Sequence, residues 1–118
     1  MTQFATESMA DLYAMLTYAR PHTSEAEAAF VQRFVNTLPS INYDKFGNGL
    51  LRIGTAPVLF SCHTDTVHHK SGRQKIVINE GLAKLKAPQR GLCLGADDAA
   101  GVWLMREMIA SNVSGLYV

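Results

Sequence analysis

Apolar positions recur at helical spacing in two stretches near the start of the chain, then give way to the short runs typical of strands. Met9, Leu12, Tyr13 and Leu16 share one face of a helix predicted over 8–19 and ended by Pro21. Ser24-Glu25-Ala26-Glu27 has the form of a capping box, whose hydroxyl and carboxylate satisfy free amides of a first helical turn. Phe30, Val31, Phe34, Val35 and Leu38 carry that second helix as an apolar stripe as far as Pro39. Both stripes need a sheet to pack against.

Extended segments supply it. Residues 41–46 and 50–53 flank Gly47-Asn48-Gly49, which reads as a hairpin turn requiring left-handed backbone. Those glycines also resemble a dinucleotide fingerprint, but no helix follows Gly49 and the third glycine is missing. Residues 58–62 and 91–94 read as strands. Between them, 75–79 and 82–86 form a second hairpin about Glu80-Gly81, expected to cover or flank a crevice. A third helix is predicted over 99–110 with Val102, Met105, Met108 and Ile109 inward, and Leu116-Tyr117-Val118 begins another strand. The pattern predicts one α/β domain over 1–118, a mixed β-sheet flanked by helices.

Composition narrows the function classes. The 118 residues are 47% apolar and 18% charged, a balance suited to a packed core, and the formal net charge of +1 gives no electrostatic reason to expect nucleic acid or an anionic membrane as partner. The start of the chain lacks a basic stretch followed by an apolar one, and no run approaches the ~18 apolar residues of a membrane span. Cys62 and Cys93 lie in apolar segments and read as buried thiols, so a cytoplasmic location is expected. Asn112-Val113-Ser114 has the glycosylation pattern, which carries no meaning without export.

Chemistry concentrates in two polar clusters, His63-Thr64-Asp65 and Gly95-Ala96-Asp97-Asp98, each placed where an apolar strand is predicted to end. Open α/β sheets bind ligands beyond the carboxyl ends of their strands. A histidine two residues from an aspartate suits a metal ligand and its orienting partner, because a bound imidazole donates its second ring nitrogen to a carboxylate or carbonyl. A histidine alone is commonly a satisfied core residue, and an aspartate pair at a helix start is commonly a cap; capping explains one aspartate more easily than two. Asp98, at the helix N-terminus where the dipole favours negative charge, is placed to bridge two ions. His68 and His69 read as solvated loop residues. A cysteine nucleophile is disfavoured because Cys62 and His63 are adjacent on an extended segment and point to opposite faces, and Cys93 with His63 has no third group indicated. A phosphate loop is disfavoured because 95–101 lacks its lysine and hydroxyl.

Phe60-Ser61-Cys62-His63-Thr64-Asp65-Thr66-Val67, followed by Leu94-Gly95-Ala96-Asp97-Asp98-Ala99-Ala100-Gly101, resembles the co-catalytic zinc exopeptidases, the superfamily of peptidase T, carboxypeptidase G and bacterial leucyl aminopeptidases. The likeness is nearest the peptidase T branch, and Pro21-His22-Thr23-Ser24-Glu25-Ala26-Glu27 sits where that family starts a short helix. The resemblance implies a phosphorylase/hydrolase-like zinc-peptidase architecture, incomplete at the C-terminus. By it, His63 binds one metal, Asp65 orients His63, and Asp98 bridges two zinc ions, with cobalt or manganese as substitutes. The implied reaction is hydrolysis of a peptide or amide bond near a chain end, on a peptide or N-acyl amino acid substrate. The family's adjacent glutamate pair, one a general base and one a ligand, follows the next strand, and Leu116-Tyr117-Val118 resembles that strand cut short. Glu80 at a turn and Glu107 well inside a helix are poor substitutes. The expectation is the N-terminal part of a metallopeptidase-type domain that alone binds metal weakly or not at all and turns over little. The alternative is a non-catalytic module forming a homo-oligomer through a sheet edge left open after Gly115.

Overall fold

The computed structural model describes residues 3–118. Its elements, in chain order, are α1 (Gln3–Leu16), β1 (Tyr18–Ala19), α2 (Glu25–Phe34), β2 (Asn42–Tyr43), β3 (Gly49–Ile53), β4 (Leu59–Phe60), β5 (Gly72–Arg73), β6 (Ile76–Asn79), β7 (Leu82–Leu85), α3 (Ala96–Ala110) and β8 (Gly115–Tyr117). A four-stranded mixed sheet of order β2-β3-β8-β4 stands beside two ribbons, β1-β5 and β6-β7. The class is mixed α/β.

The first helix stops three residues before the predicted end, because Thr17 closes its last turn onto the Ala14 carbonyl through both its amide and its hydroxyl. Tyr18 and Ala19 are then drawn into pairing with Arg73 and Gly72. Extended backbone turns Tyr18 edge-on to Phe30 and Phe34, with centroids 5.8 and 5.9 Å away. These rings join Met15, Leu16, Ala99 and Val102 in the core.

The second helix is capped as the sequence indicates at Ser24, whose hydroxyl accepts from the Glu27 amide. Glu27 reaches one residue further back than a capping box requires and accepts from the Thr23 amide at 2.7 Å. The helix ends at Phe34, so Pro39 does not stop it. Arg106 of α3 instead donates to the Phe34 carbonyl at 2.7 Å, placing a cation at the negative end of the helix.

The first hairpin is present, but its turn is 44–48. The Asp44 carboxylate accepts from the Phe46 and Asn48 amides, Gly47 supplies the left-handed position at φ 86°, and Gly49 already belongs to β3. The second hairpin turns at Glu80 and Gly81, both left-handed. That ribbon contributes no residue to the cleft described below, contrary to the expectation that it would cover or flank it.

Two further expectations are corrected. Residues 91–94 form no strand, because the Cys93 and Leu94 carbonyls are taken by the Gln74 side-chain amide at 3.0 and 3.2 Å instead of by a neighbouring strand. The last strand is not an open edge: β8 lies inside the sheet, antiparallel to β3 and parallel to β4. The free edges belong to β2 and β4, where Val58 and Leu59 are exposed. The Val58 and Phe60 carbonyls accept from the Leu116 and Val118 amides, and the Cys62 amide donates to the Val118 carbonyl, which delivers His63 at the carboxyl end of β4. No described helix is long and apolar enough to cross a membrane.

Candidate metal centre

His63 leaves β4 with its ring half-exposed between two carboxylates. Its Nδ1 is 2.9 Å from the Asp65 carbonyl and 3.1 Å from Asp65 Oδ1, so Nδ1 carries the donated proton. Its Nε2 is 3.0 Å from Asp97 Oδ1. In the neutral ring with its proton on Nδ1, Nε2 offers a lone pair, and a carboxylate oxygen opposite it is also an acceptor. Two acceptors at that separation require a cation between them, either a proton, giving imidazolium, or a metal ion. The ring's pKa reflects the first option: partial burial pulls it down, but the carboxylates of Asp97 and Asp65 outweigh burial and hold it above the ordinary value.

The donor set suits zinc, which takes imidazole nitrogen and carboxylate oxygen. Two ligands ~2.0–2.1 Å from one tetrahedral ion lie roughly 3.3 Å apart, close to the spacing the pair already has.

The structure brings Asp98 to the same place, facing a different atom. Asp98 Oδ2 accepts from the His63 backbone amide at 3.3 Å and Oδ1 from the Gly101 amide at 3.0 Å. It caps the regular part of α3, which begins at Ala99, since Asp97 and Asp98 have non-helical backbone angles. The carboxylate that faces His63 Nε2 is Asp97, 94% exposed, which the sequence presents only as half of an acidic pair. Helical periodicity places Asp98 at the N-terminal rim, but the acidic pair lies outside that periodicity.

Glu27 and His22 also reach this side. The carboxylate of Glu27 accepts from Thr64 Oγ1 at 2.8 Å as well as from the Thr23 amide, so both its oxygens are engaged. His22 Nδ1 is 3.8 Å from Asp65 Oδ2, and ligand atoms of His22, Glu27 and Asp65 lie within 4.8 Å of one another. These groups border a cleft of about 730 Å³ whose floor carries Val31, Leu51, Val102 and Met105.

His68 is buried, not solvated, whereas His69 is exposed. The Gln74 amide nitrogen donates to the carbonyls of Leu16, Cys93 and Leu94, which leaves its oxygen to accept from His68 Nε2 at 2.8 Å. His68 Nδ1 then accepts from the Thr66 hydroxyl. Cys93 Sγ lies 3.4 and 3.8 Å from the two ring nitrogens, beside a ring whose in-plane positions are both taken, so the pair is no nucleophile and base. The Cys62 thiol is pushed up to about 11 by burial and by Asp98, which suppresses its nucleophilic form.

No family model matches the chain, and no curated protein or solved structure matches it.

Proposed function

We propose that this chain carries part of the centre of a metal-dependent hydrolase of peptide or amide bonds, with His63 Nε2 and Asp97 as ligands and Asp65 holding the imidazole in its ligating tautomer. The observation that carries the reading is the His63 ring, which donates to Asp65 through one nitrogen and presents the other to Asp97 at 3.0 Å. An ion held there would supply Lewis acidity toward a scissile carbonyl and a lowered pKa for a bound water. The chain's own residues supply orientation. Asp65 fixes ring and tautomer, Asp98 ties the His63 backbone to the start of α3, and the apolar floor of the cleft is suited to a substrate side chain.

Hydrolysis also needs a base and further ligands. Glu27 has both oxygens occupied, and Glu80 sits on the β6-β7 turn. The chain by itself is therefore a weak metal binder with little or no turnover. The zinc-peptidase resemblance agrees with this reading in residue types and assigns the bridging role to Asp98; the geometry favours Asp97.

Calorimetric titration with zinc, and cobalt absorption as a second probe, test the assignment. Weak binding lost in both His63→Ala and Asp97→Asn, and kept in a His69→Ala control, is the expected result. Binding that survives both substitutions overturns the site, and peptide hydrolysis abolished by His63→Ala overturns the claim of inactivity. One observation favours a second reading, self-association: Val58 and Leu59 are exposed on the open edge of β4. A sedimenting dimer that Leu59→Lys dissolves would support it.

A further inference from the structure

The most unusual side chain in this fold is Arg20, which is completely buried and, among the described residues, forms no ion pair with a carboxylate. A guanidinium removed from water is costly unless its donors are all aimed at acceptors. Here each bonded acceptor is a backbone carbonyl. Nε donates to the Thr64 carbonyl at 2.7 Å, one terminal nitrogen to Met15 and Tyr18 at 3.3 and 3.2 Å, and the other to Gly95 at 2.9 Å. Its central carbon lies over the Phe30 ring, 4.3 Å from the centroid.

Two of those carbonyls belong to the two halves of the metal centre. Thr64 stands between His63 and Asp65, and Gly95 stands two residues before Asp97. The segments are far apart in sequence; His63 bonds to Asp97 and Asp98 across them, and the Thr66 side chain also lies against Gly95. A second bond pair reinforces the first half: the Arg20 amide donates to Thr66 Oγ1, and the Thr66 amide donates back to the Arg20 carbonyl. Gly95 is left-handed at φ 82°, the backbone region that favours glycine, and a Cβ there would lie 3.2 Å from the guanidinium.

We propose that Arg20 is the positioning residue of this centre: its guanidinium spans from Thr64 to Gly95 and sets the spacing at which His63 Nε2 meets Asp97. The catalytic meaning rests on the metal-hydrolase reading; the positioning itself does not. Lysine cannot replace it, since a single ammonium cannot serve two carbonyls on opposite sides of a planar fork.

The test uses the full chain carrying Arg20→Lys or Arg20→Met, with circular dichroism to confirm folding and amide hydrogen exchange read residue by residue. Arg20→Lys should speed exchange around 63–66 and 95–98 by at least about tenfold while the α2 amides stay protected. Where the wild-type chain binds zinc, the same variant should weaken binding by at least about tenfold, as loss of an outer support does. Unchanged protection in both segments, or loss spread evenly over α2 as well, overturns the proposal. Local loss of protection in a chain whose wild type binds no zinc upholds Arg20 and removes the metal reading instead. Should neither variant fold, the wild-type Arg20 Nε–H decides: slow exchange with a coupling across the hydrogen bond to the Thr64 carbonyl supports the proposal, and fast exchange overturns it.

Discussion

Adding one methyl group at Gly101 should reverse its effect on stability depending on whether Asp98 is present. Gly101 lies in the first regular turn of α3, and a Cβ built there falls inside contact distance of the whole Asp98 carboxylate. Removing glycine from a helix ordinarily gains up to about 1 kcal/mol. Against that, the displaced carboxylate loses its cap on the Gly101 amide, about 1 kcal/mol by the usual range for such caps. It also loses the bond from the His63 amide, a bond to a charged acceptor whose value falls to about 1 kcal/mol because water can reach this half-exposed site. Gly101→Ala alone should therefore destabilise by about 1 kcal/mol, and Asp98→Ala by about 2 kcal/mol. In the Asp98→Ala background nothing remains to collide with, and Gly101→Ala should stabilise by about 1 kcal/mol. The coupling of about 2 kcal/mol between neighbours is large enough to measure by urea unfolding of the four proteins with a common slope. Additive effects, with Gly101→Ala stabilising in both backgrounds, would refute the placement of Asp98 between the helix start and His63.

Phe30 is fully buried between Tyr18, Phe34 and the Arg20 guanidinium, so Phe30→Ala should cost about 3–5 kcal/mol in urea unfolding; a cost near that of a surface substitution would contradict this packing. His63 is held above its ordinary pKa of 6.5, so its contribution to apo-protein stability is whole below that value and is lost as pH rises through the folded-state value. The wild type should therefore exceed His63→Ala in stability by more at about pH 6 than at about pH 9, and the reverse order would remove the imidazolium pair with Asp97. With Cys93 replaced by serine, Cys62 should alkylate roughly a hundredfold more slowly near pH 8 than an unshifted thiol, its rate rising toward pH 11; alkylation at the ordinary rate would show that the thiol is not buried against Asp98.

Local chemistry made much of the fold readable. A serine three residues before a glutamate sets a helix start whatever lies around it, and Glu80-Gly81 between two apolar runs sets a two-residue turn, because both devices are complete within a few residues of backbone. Strand order is of another kind. Nothing near Leu116-Tyr117-Val118 tells whether the strand lies inside a sheet or at its edge, since that depends on β3 and β4 closing around it from more than fifty residues away. The burial of His68 is of the same kind. A polar loop position predicts solvent, whereas the fold meets both ring nitrogens with Thr66 and Gln74 and so allows burial.

The site divides along the same line. His63 and Asp65 are two residues apart, and a spacing that short can be judged from covalent geometry alone, so their pairing was visible in advance. Choosing between Asp97 and Asp98 needed the backbone angles of the acidic pair, which depart from the helix that the apolar pattern of 99–110 describes. Arg20 left no trace, because a single arginine after a helix is ordinarily a solvated residue and its value here lies in four carbonyls drawn from three separate stretches of chain. Residues that bear the chemistry can thus be nominated from their neighbours in sequence. Residues that set the distance between them are found only once the chain has folded, and in this molecule Arg20 links the loop that carries His63 to the one that carries Asp97.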